Sequence, residues 1–446
     1  MEQRMKRNSN TGTMLVFLTI VLMFVSSSVF GTNGYFRHGY GTHYRSLAGA
    51  GVALYLNSMG IANNPAGAVF LGSQLDAGFS IFSPLREYSV MGNPSGFPGT
   101  FPLAPGTVES DVKEFFIPYA GVNYALSGSA RHAISLALYG NGGMNTKYPV
   151  KTFDNPQLEF DPPTGVDLSQ LFINLTYARE IFPSHSIGIS GILAWQRFKA
   201  EGLYAFGGLS SDPGKLTNNG HQSGTGVGLR VGYLGEWFPA LSVGASFQTR
   251  IKMKKFSEYA GLFAEQGGFD IPANWVAGIA VKATPSLTLV ADVQQVFYSD
   301  VKSIANPLDL QGNPPAFPDG SPNPDFQPLG SDNGYGFGWQ DMTTVKLGIQ
   351  WQAGSNTTLR GGFSFGEQPI PESEVLFNIL APGVIEQHLT FGFSQSISSN
   401  LDLNFALMHG LSNTVTGANP LEAPDQQQIE LKMSQWEGDI GISWRF

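Results

Sequence analysis

From Gly72 to Phe446, apolar and polar positions alternate in about fourteen stretches, and the gaps between stretches are short and long by turns. In Val345–Gln352, Val345, Leu347, Ile349 and Trp351 share one face, and Lys346, Gly348, Gln350 and Gln352 share the other. Leu359–Gly366 sets Leu359, Gly361, Phe363 and Phe365 against Arg360, Gly362, Ser364 and Gly366. Trp275–Lys282 and Leu401–Met408 repeat the pattern. Successive side chains of a strand point to opposite faces, so a period of two predicts strands and not helices. The final residues set Ile440, Ile442, Trp444 and Phe446 opposite Gly441, Ser443 and Arg445. Between Met433 and Asp439 the alternation slips, which predicts a bulge there.

The gaps carry the second signal. Those at 126–131, 182–185, 237–240, 284–286, 353–356 and 398–400 are short and rich in Gly, Pro, Ser and Asn. Long excursions stand at 91–110, 141–165, 201–219, 252–270, 302–340, 367–384 and 411–425. Six turns and seven loops join fourteen strands. Tight turns at one end and long loops at the other describe a transmembrane barrel, whose even strand number puts both termini on the turn side. Closure also gives every backbone N–H and C=O a partner within lipid. The predicted fold is therefore an all-β, 14-stranded antiparallel outer-membrane β-barrel spanning 72–446.

Composition agrees with one face in lipid. Only 13% of the 446 residues are charged, 12% are aromatic and Gly numbers 55. A soluble protein usually carries about 25% charge. The longest apolar run, Met14–Val25, falls short of the roughly 20 residues of a spanning helix. With Arg4, Lys6 and Arg7 before it and small residues after it, this run predicts a secretory signal peptide over 1–31. A net charge of −9 and no basic stripe exclude a nucleic-acid partner. The absence of Cys removes disulfides, thiolate metal sites and a Cys nucleophile. No metal or other cofactor is expected.

Residues 32–71 break the strand rhythm. They hold Ala48-Gly-Ala-Gly51 and Asn63-Asn-Pro-Ala-Gly67 among small residues and turns. A segment this short does not readily fold alone. Ahead of a fourteen-stranded ring with an open lumen, its natural place is inside, as a hatch.

Three segments give the chain a family likeness. One is Asn64-Pro65-Ala66 in the predicted hatch. The second is Phe256–Trp275, followed by Ala277–Ala280 and Thr284–Asp292. The third is Arg360–Gly366 with Gln368–Pro371 and Asn378–Gly383. In these the chain resembles the FadL family of outer-membrane transporters for long-chain fatty acids and other hydrophobic compounds, its toluene-type (TodX) relatives included. The resemblance implies a monomeric barrel closed by an N-terminal hatch. It implies ligand captured on extracellular loops, passed to a lumenal pocket and released through a lateral gap at a kinked third strand. Transport would be diffusive. The implied surroundings are outer-membrane lipid and lipopolysaccharide, with the barrel-assembly machinery a partner in biogenesis.

Candidate residues follow. Phe256, Tyr259 and Phe263 stand at i, i+3 and i+7 and, with Leu262, can share one side of a short helix. The likeness makes these a capture groove with Leu203, Tyr204 and Phe206; the alternative is plain packing between loops. A carboxylate ligand needs a cation somewhere dry, and Arg197, Lys199, Lys346 and Arg360 are the candidates, unless they pair with lumenal acids such as Asp292 or Asp402. Asn64, Pro65 and Ala66 either anchor the hatch or form an ordinary turn with Pro at the first helical position. Gly140, Gly142 and Gly143 mark a broken ladder beside a wall gap or the start of a long loop. No catalytic residue is expected, since neither a GxSxG element nor an HExxH pair occurs. A general porin, an outer-membrane lipid hydrolase and an adhesin barrel stand as rival readings.

Overall fold

The computed structural model describes residues 34–128, 131–154 and 162–446. The predicted signal peptide lies outside them.

Among the described residues, sixteen strands form one antiparallel sheet whose last member pairs with its first, closing the ring. In chain order they are β1 Gln74–Met91, β2 Gly106–Glu109, β3 Phe115–Leu126, β4 His132–Lys147, β5 Gly165–Phe182, β6 His185–Glu201, β7 Gln222–Phe238 and β8 Leu241–Gln248. They continue as β9 Lys252–Met253, β10 Asn274–Thr284, β11 Leu287–Val296, β12 Met342–Gln352, β13 Thr357–Gly366, β14 Gln387–Ser396, β15 Leu401–Ala418 and β16 Gln428–Arg445. β2 and β9 are short additions on β1 and β7, so fourteen strands make the wall. All six predicted tight turns connect neighbouring wall strands. No described helix is long and apolar enough to cross a membrane; this wall crosses with strands.

Alternation sorts the side chains as a bilayer requires. Leu175, Ile189, Leu229, Phe391, Ile440 and Trp444 project outward and are exposed. Their inward neighbours Asn174, Ser190, Arg230, Thr390, Asp439 and Ser443 are buried. The predicted bulge falls on the other strand of its pair. β16 runs against β1 without a break from Gln74↔Arg445 to Met91↔Gln428, whereas β15 carries one extra residue between Gly410 and Asn413. Within 433–439 the inward residues are half-buried Met433 and buried Gln435, Glu437 and Asp439. The sequence only looked irregular because outward Ser434 and Gly438 are not apolar.

The described part of the N-terminal segment, 34–71, lies inside the ring and is almost wholly buried. Its irregular backbone leaves amides and carbonyls that a dry interior must satisfy. Wall side chains do so. Asp292 Oδ2 accepts the N–H of Gly51 (2.8 Å) and of Val52 (2.9 Å). Asp76 Oδ2 accepts that of Ser58 (2.8 Å). Asn123 donates to the carbonyls of Ala68, Leu71 and Gly72. Ion pairs add to this: Arg37 meets Glu437, and Arg45 meets both Glu437 (3.2 Å) and Asp439 (2.5 Å).

Candidate functional site

Among the described residues, the pairing of the wall breaks between β3 and β4. β3 bonds β4 only from Leu126↔His132 to Tyr119↔Tyr139. Above that point β4 continues to Lys147, still paired with β5 but not with β3. An unpaired edge exposes a row of N–H and C=O groups. Here the N-terminal segment meets them from within. Arg37 N–H donates to Asn141 O (2.9 Å), Gly143 N–H donates to Tyr35 O (3.1 Å), and Phe36 bridges Gly142. Asn141 is the extra residue of a bulge between Gly140 and Gly142; its side chain accepts from Tyr40 Oη (2.8 Å) and donates to Gln170 (3.0 Å). At the top, Asp111 N–H donates to Lys147 O (2.8 Å), and Arg86 bridges the carbonyls of Asn145 and Val112.

The three glycines therefore sit on the open edge of β4. Gly142 has a steric reason to be glycine, since a Cβ there would lie 2.0 Å from Tyr35 O.

A cavity of about 580 Å³ abuts this break, within the range of about 300–1,000 Å³ common for small-molecule sites. Lumenal side chains such as Met144, His388 and Met408 line it together with Phe116 and Leu138, which point outward. Most of the lining is apolar or aromatic, including Phe36, Phe82, Phe115 and Trp195. A polar patch at one side joins His38, His388, Gln435 and Glu437. His38 Nε2 is 2.7 Å from Ser364 Oγ, and its ring lies 4.1 Å from that of His388. Burial first, then the charges facing it from His388, Lys346 and Arg45, hold His38 well below the ordinary histidine range.

Among the four cations read from the sequence, Arg197 alone lines this cavity, and it pairs with Asp167 at 3.3 Å. Lys199 pairs with Glu201 (2.7 Å). Lys346 stands opposite Asp292 in the ladder and faces the carbonyl of His38. Arg360 donates to Gln350 and Ser394, and Asp402 is held by Arg445 instead. Sequence reasoning passes over Arg86, which is 6% exposed and lines the cavity. Its inward parity against outward Leu85 is the signal that could have found it.

Asn64 caps the 3-10 helix Pro65–Phe70, its Oδ1 accepting from Ala66 N–H (3.0 Å), with Pro65 at the first position. Its amide also donates to Tyr233 O on β7 (2.9 Å), and Ser186 of β6 donates to Ala66 O (2.8 Å). The motif is thus both a helix start and a tie to the wall.

The loop aromatics gather, but not on one helix. Two separate turns, Ser257–Tyr259 and Ala264–Gly267, replace it. Glu265, Gln266 and Gly267 take φ of 57°, 55° and 95°, which no right-handed helix admits. Phe256, Tyr259 and Phe263 still converge on Phe198, with ring centroids 5.7, 4.9 and 4.7 Å away. Phe256 and Tyr259 are fully buried in this cluster. Leu203, Phe206, Leu262 and Phe263 line a narrow apolar void of about 20 Å³, while Tyr204 faces outward. Leu380 borders that void, and the adjoining Ala381, Pro382 and Gly383 border the large cavity.

Sequence comparison matches residues 20–437 to the family described as outer membrane protein transport protein (OMPP1/FadL/TodX). The chain belongs to this family. It is accordingly an outer-membrane transport barrel, and the family is one of transport channels. Solved structures share the fold at low identity. The Pseudomonas putida toluene transporter TodX matches at 17% identity and a TM-score of 0.66, over 92% of this chain and 99% of its own. A Pseudomonas aeruginosa FadL homologue matches at 13% identity and 0.66, over 93% and 100%. The CymD monoaromatic hydrocarbon channel matches at 16% and 0.57, over 92% and 98%. No curated protein sequence matches the chain.

Proposed function

We propose that this FadL/TodX-type protein carries hydrophobic molecules, long-chain fatty acids among them, by diffusion and without enzymatic chemistry. Ligand enters among the extracellular loops at Leu203, Phe206, Leu262 and Phe263. It passes the partition formed by Leu380 to Gly383, occupies the large cavity and leaves sideways between β3 and β4. Residues 32–71 are the hatch, and Tyr35–Arg37 are its closing edge. The protein acts as a monomer amid lipid and lipopolysaccharide, after insertion by the barrel-assembly machinery.

The observation that carries this reading is the cavity bordered by lumenal and outward-facing side chains at the broken ladder of the wall. A general porin needs an open aqueous path, and here the buried segment 34–71 occupies the lumen. Relatives support the ligand class through a toluene transporter and a monoaromatic hydrocarbon channel.

The chain has no Cys, so an introduced pair is unique. Tyr40→Cys and Asn141→Cys, joined by a short bifunctional spacer, tie the hatch to β4 where the two side chains now touch at 2.8 Å. The tied protein should still bind an apolar fluorophore and should fail to take it up in reconstituted vesicles. Uptake at the rate of the untied protein overturns the lateral route.

A further inference from the structure

The outward face of the wall is hollowed over β5, β6 and β7. The hollow has a volume of about 610 Å³ and is lined by Ile173, Leu175, Gly191, Leu193, Val227 and Leu229. Strand register sets these in two rows, Ile173↔Leu193↔Val227 and Leu175↔Gly191↔Leu229. Two features make the dent. At outward Gly191 a Cβ would meet nothing within 4 Å. β8 pairs with β7 only as far as Arg230↔Gln248, and beyond that point the edge of β7 meets only the two residues of β9. Val227 is 73% exposed, more than any other large apolar side chain among the described residues.

β9 brings charge to the upper edge of the hollow. Lys252 stands opposite Val227 and extends its row. Lys254 N–H donates to Thr225 O (2.9 Å), which sets it one row higher, in line with outward Trp195. Both lysines are exposed, and among the described residues neither has an acid within ion-pair distance. The cations near them, Arg197, Lys199 and Arg250, are paired with Asp167, Glu201 and Asp270. Four of the 25 Lys and Arg fall within 250–255, in a chain of net charge −9, so the positive spot is local. Height decides what meets it. A strand rising about 3.3 Å per residue at a tilt of about 40° climbs roughly 25 Å from His185 at the turn to Trp195. That is the height of the apolar band of such a barrel. The lysines therefore stand where the head groups of the outer leaflet begin, and the hollow lies among its acyl chains.

We propose that this hollow, with Lys252 and Lys254, is a binding site on the outer wall for one lipid of the outer leaflet, a phosphorylated glycolipid of the lipid A class. The assignment rests on the outer-membrane location and not on the route of the cargo. Acyl chains lie over the two apolar rows, where Gly191 leaves room. Phosphates meet the two unpaired ammonium groups in charge-assisted contacts. Exposed Ser223 and Thr225, on the same outward face of β7, offer hydroxyls to a sugar head group. A zwitterionic phospholipid brings an ammonium of its own against the same lysines. A second copy of the chain, docked through a twofold face, sets its lysines beside these ones and is repelled.

Three lipids separate the outcomes: diphosphoryl lipid A, monophosphoryl lipid A and phosphatidylethanolamine. Each is titrated into the purified protein in detergent, and native mass spectrometry counts the bound copies. The diphosphoryl form should bind about 10-fold tighter than phosphatidylethanolamine, with the monophosphoryl form between them, and the advantage should shrink as ionic strength rises. Lys252→Gln with Lys254→Gln should remove the advantage and leave phosphatidylethanolamine within about twofold of its wild-type affinity. Gly191→Phe fills the hollow and should weaken the diphosphoryl form several-fold. Lys282→Gln, on a lysine paired with Glu236 at the turn end of the wall, should change nothing. Equal binding of the three lipids by the wild type overturns the assignment. So does a double lysine variant that keeps the advantage, or a Gly191→Phe protein that binds diphosphoryl lipid A undiminished, since the chains then lie elsewhere. A doubled protein mass that Gly191→Phe returns to the single value makes the hollow a contact between copies and also overturns it. The wild-type series decides the matter even if a variant does not assemble.

Discussion

One carboxylate oxygen of Asp292 takes two consecutive amides, those of Gly51 and Val52, and so pins a bend of the N-terminal segment to β11. Hydrogen bonds to a charged group contribute about 1.5–3 kcal/mol. Asp292→Ala should loosen the N-terminal segment by about that much without unrolling the barrel. Native-state proteolysis around Gly51 should quicken while the strand signal in circular dichroism stays constant; unchanged cleavage means the amides are held by something else. Asp292 was legible in the sequence as an inward acid that could pair with a lumenal cation, and Lys346 stands opposite it in the ladder. Its hydrogen-bond partners are backbone groups about 240 residues away, and no periodicity encodes that. Arg86 escaped for a related reason, since the carbonyls it bridges, those of Val112 and Asn145, are also backbone groups distant along the chain.

At the scale of strands, the turns announced themselves because Gly, Pro, Ser and Asn act locally. The wall strands followed because lipid on one side and a wet lumen on the other impose a strict alternation. β2 and β9, four and two residues long, are too short to show a period. The break between β3 and β4 was visible only as three glycines, because losing a neighbour on one edge does not change which way a side chain points. The loop aromatics gather around Phe198, yet not on one helix: the turn Ser257–Tyr259 is followed by extended Phe263 (φ −89°, ψ 137°) before the next turn begins. Gly142 tests the meaning of the break. In Gly142→Ala the new methyl would sit 2.0 Å from Tyr35 O, against backbone that can only move away. Vesicles holding Gly142→Ala should leak an apolar dye faster than wild type. Gly191→Ala on β6, where a Cβ meets nothing within 4 Å, should not. Equal leak rates would show that Tyr35–Arg37 does not seal the gap.

At the scale of the whole molecule, docking of the N-terminal segment should depend on acidity. His38 and His43 are buried and both are held well below the usual histidine range, chiefly by desolvation and then by nearby cations. An unfolded or undocked histidine titrates near about 6.5. Above that pH neither state carries the proton and docking is at full strength. As pH falls below it, the released hatch binds protons that the docked hatch refuses, so docking weakens progressively toward the depressed values. Protease cleavage of the N-terminal segment should therefore rise as the pH drops from roughly neutral to about 5, and His38→Gln with His43→Gln should flatten the curve. A profile unmoved by the double change assigns the sensitivity elsewhere. The berth of the N-terminal segment is also built from both ends of the barrel wall: Asp76 and Ser80 belong to the first strand, and Glu437 and Asp439 to the last. Those four residues become neighbours only when the seam between β1 and β16 zips shut. Residues 34–71 thus lack a complete berth until β16 has closed on β1, so the filling of the ring is set only after the ring itself.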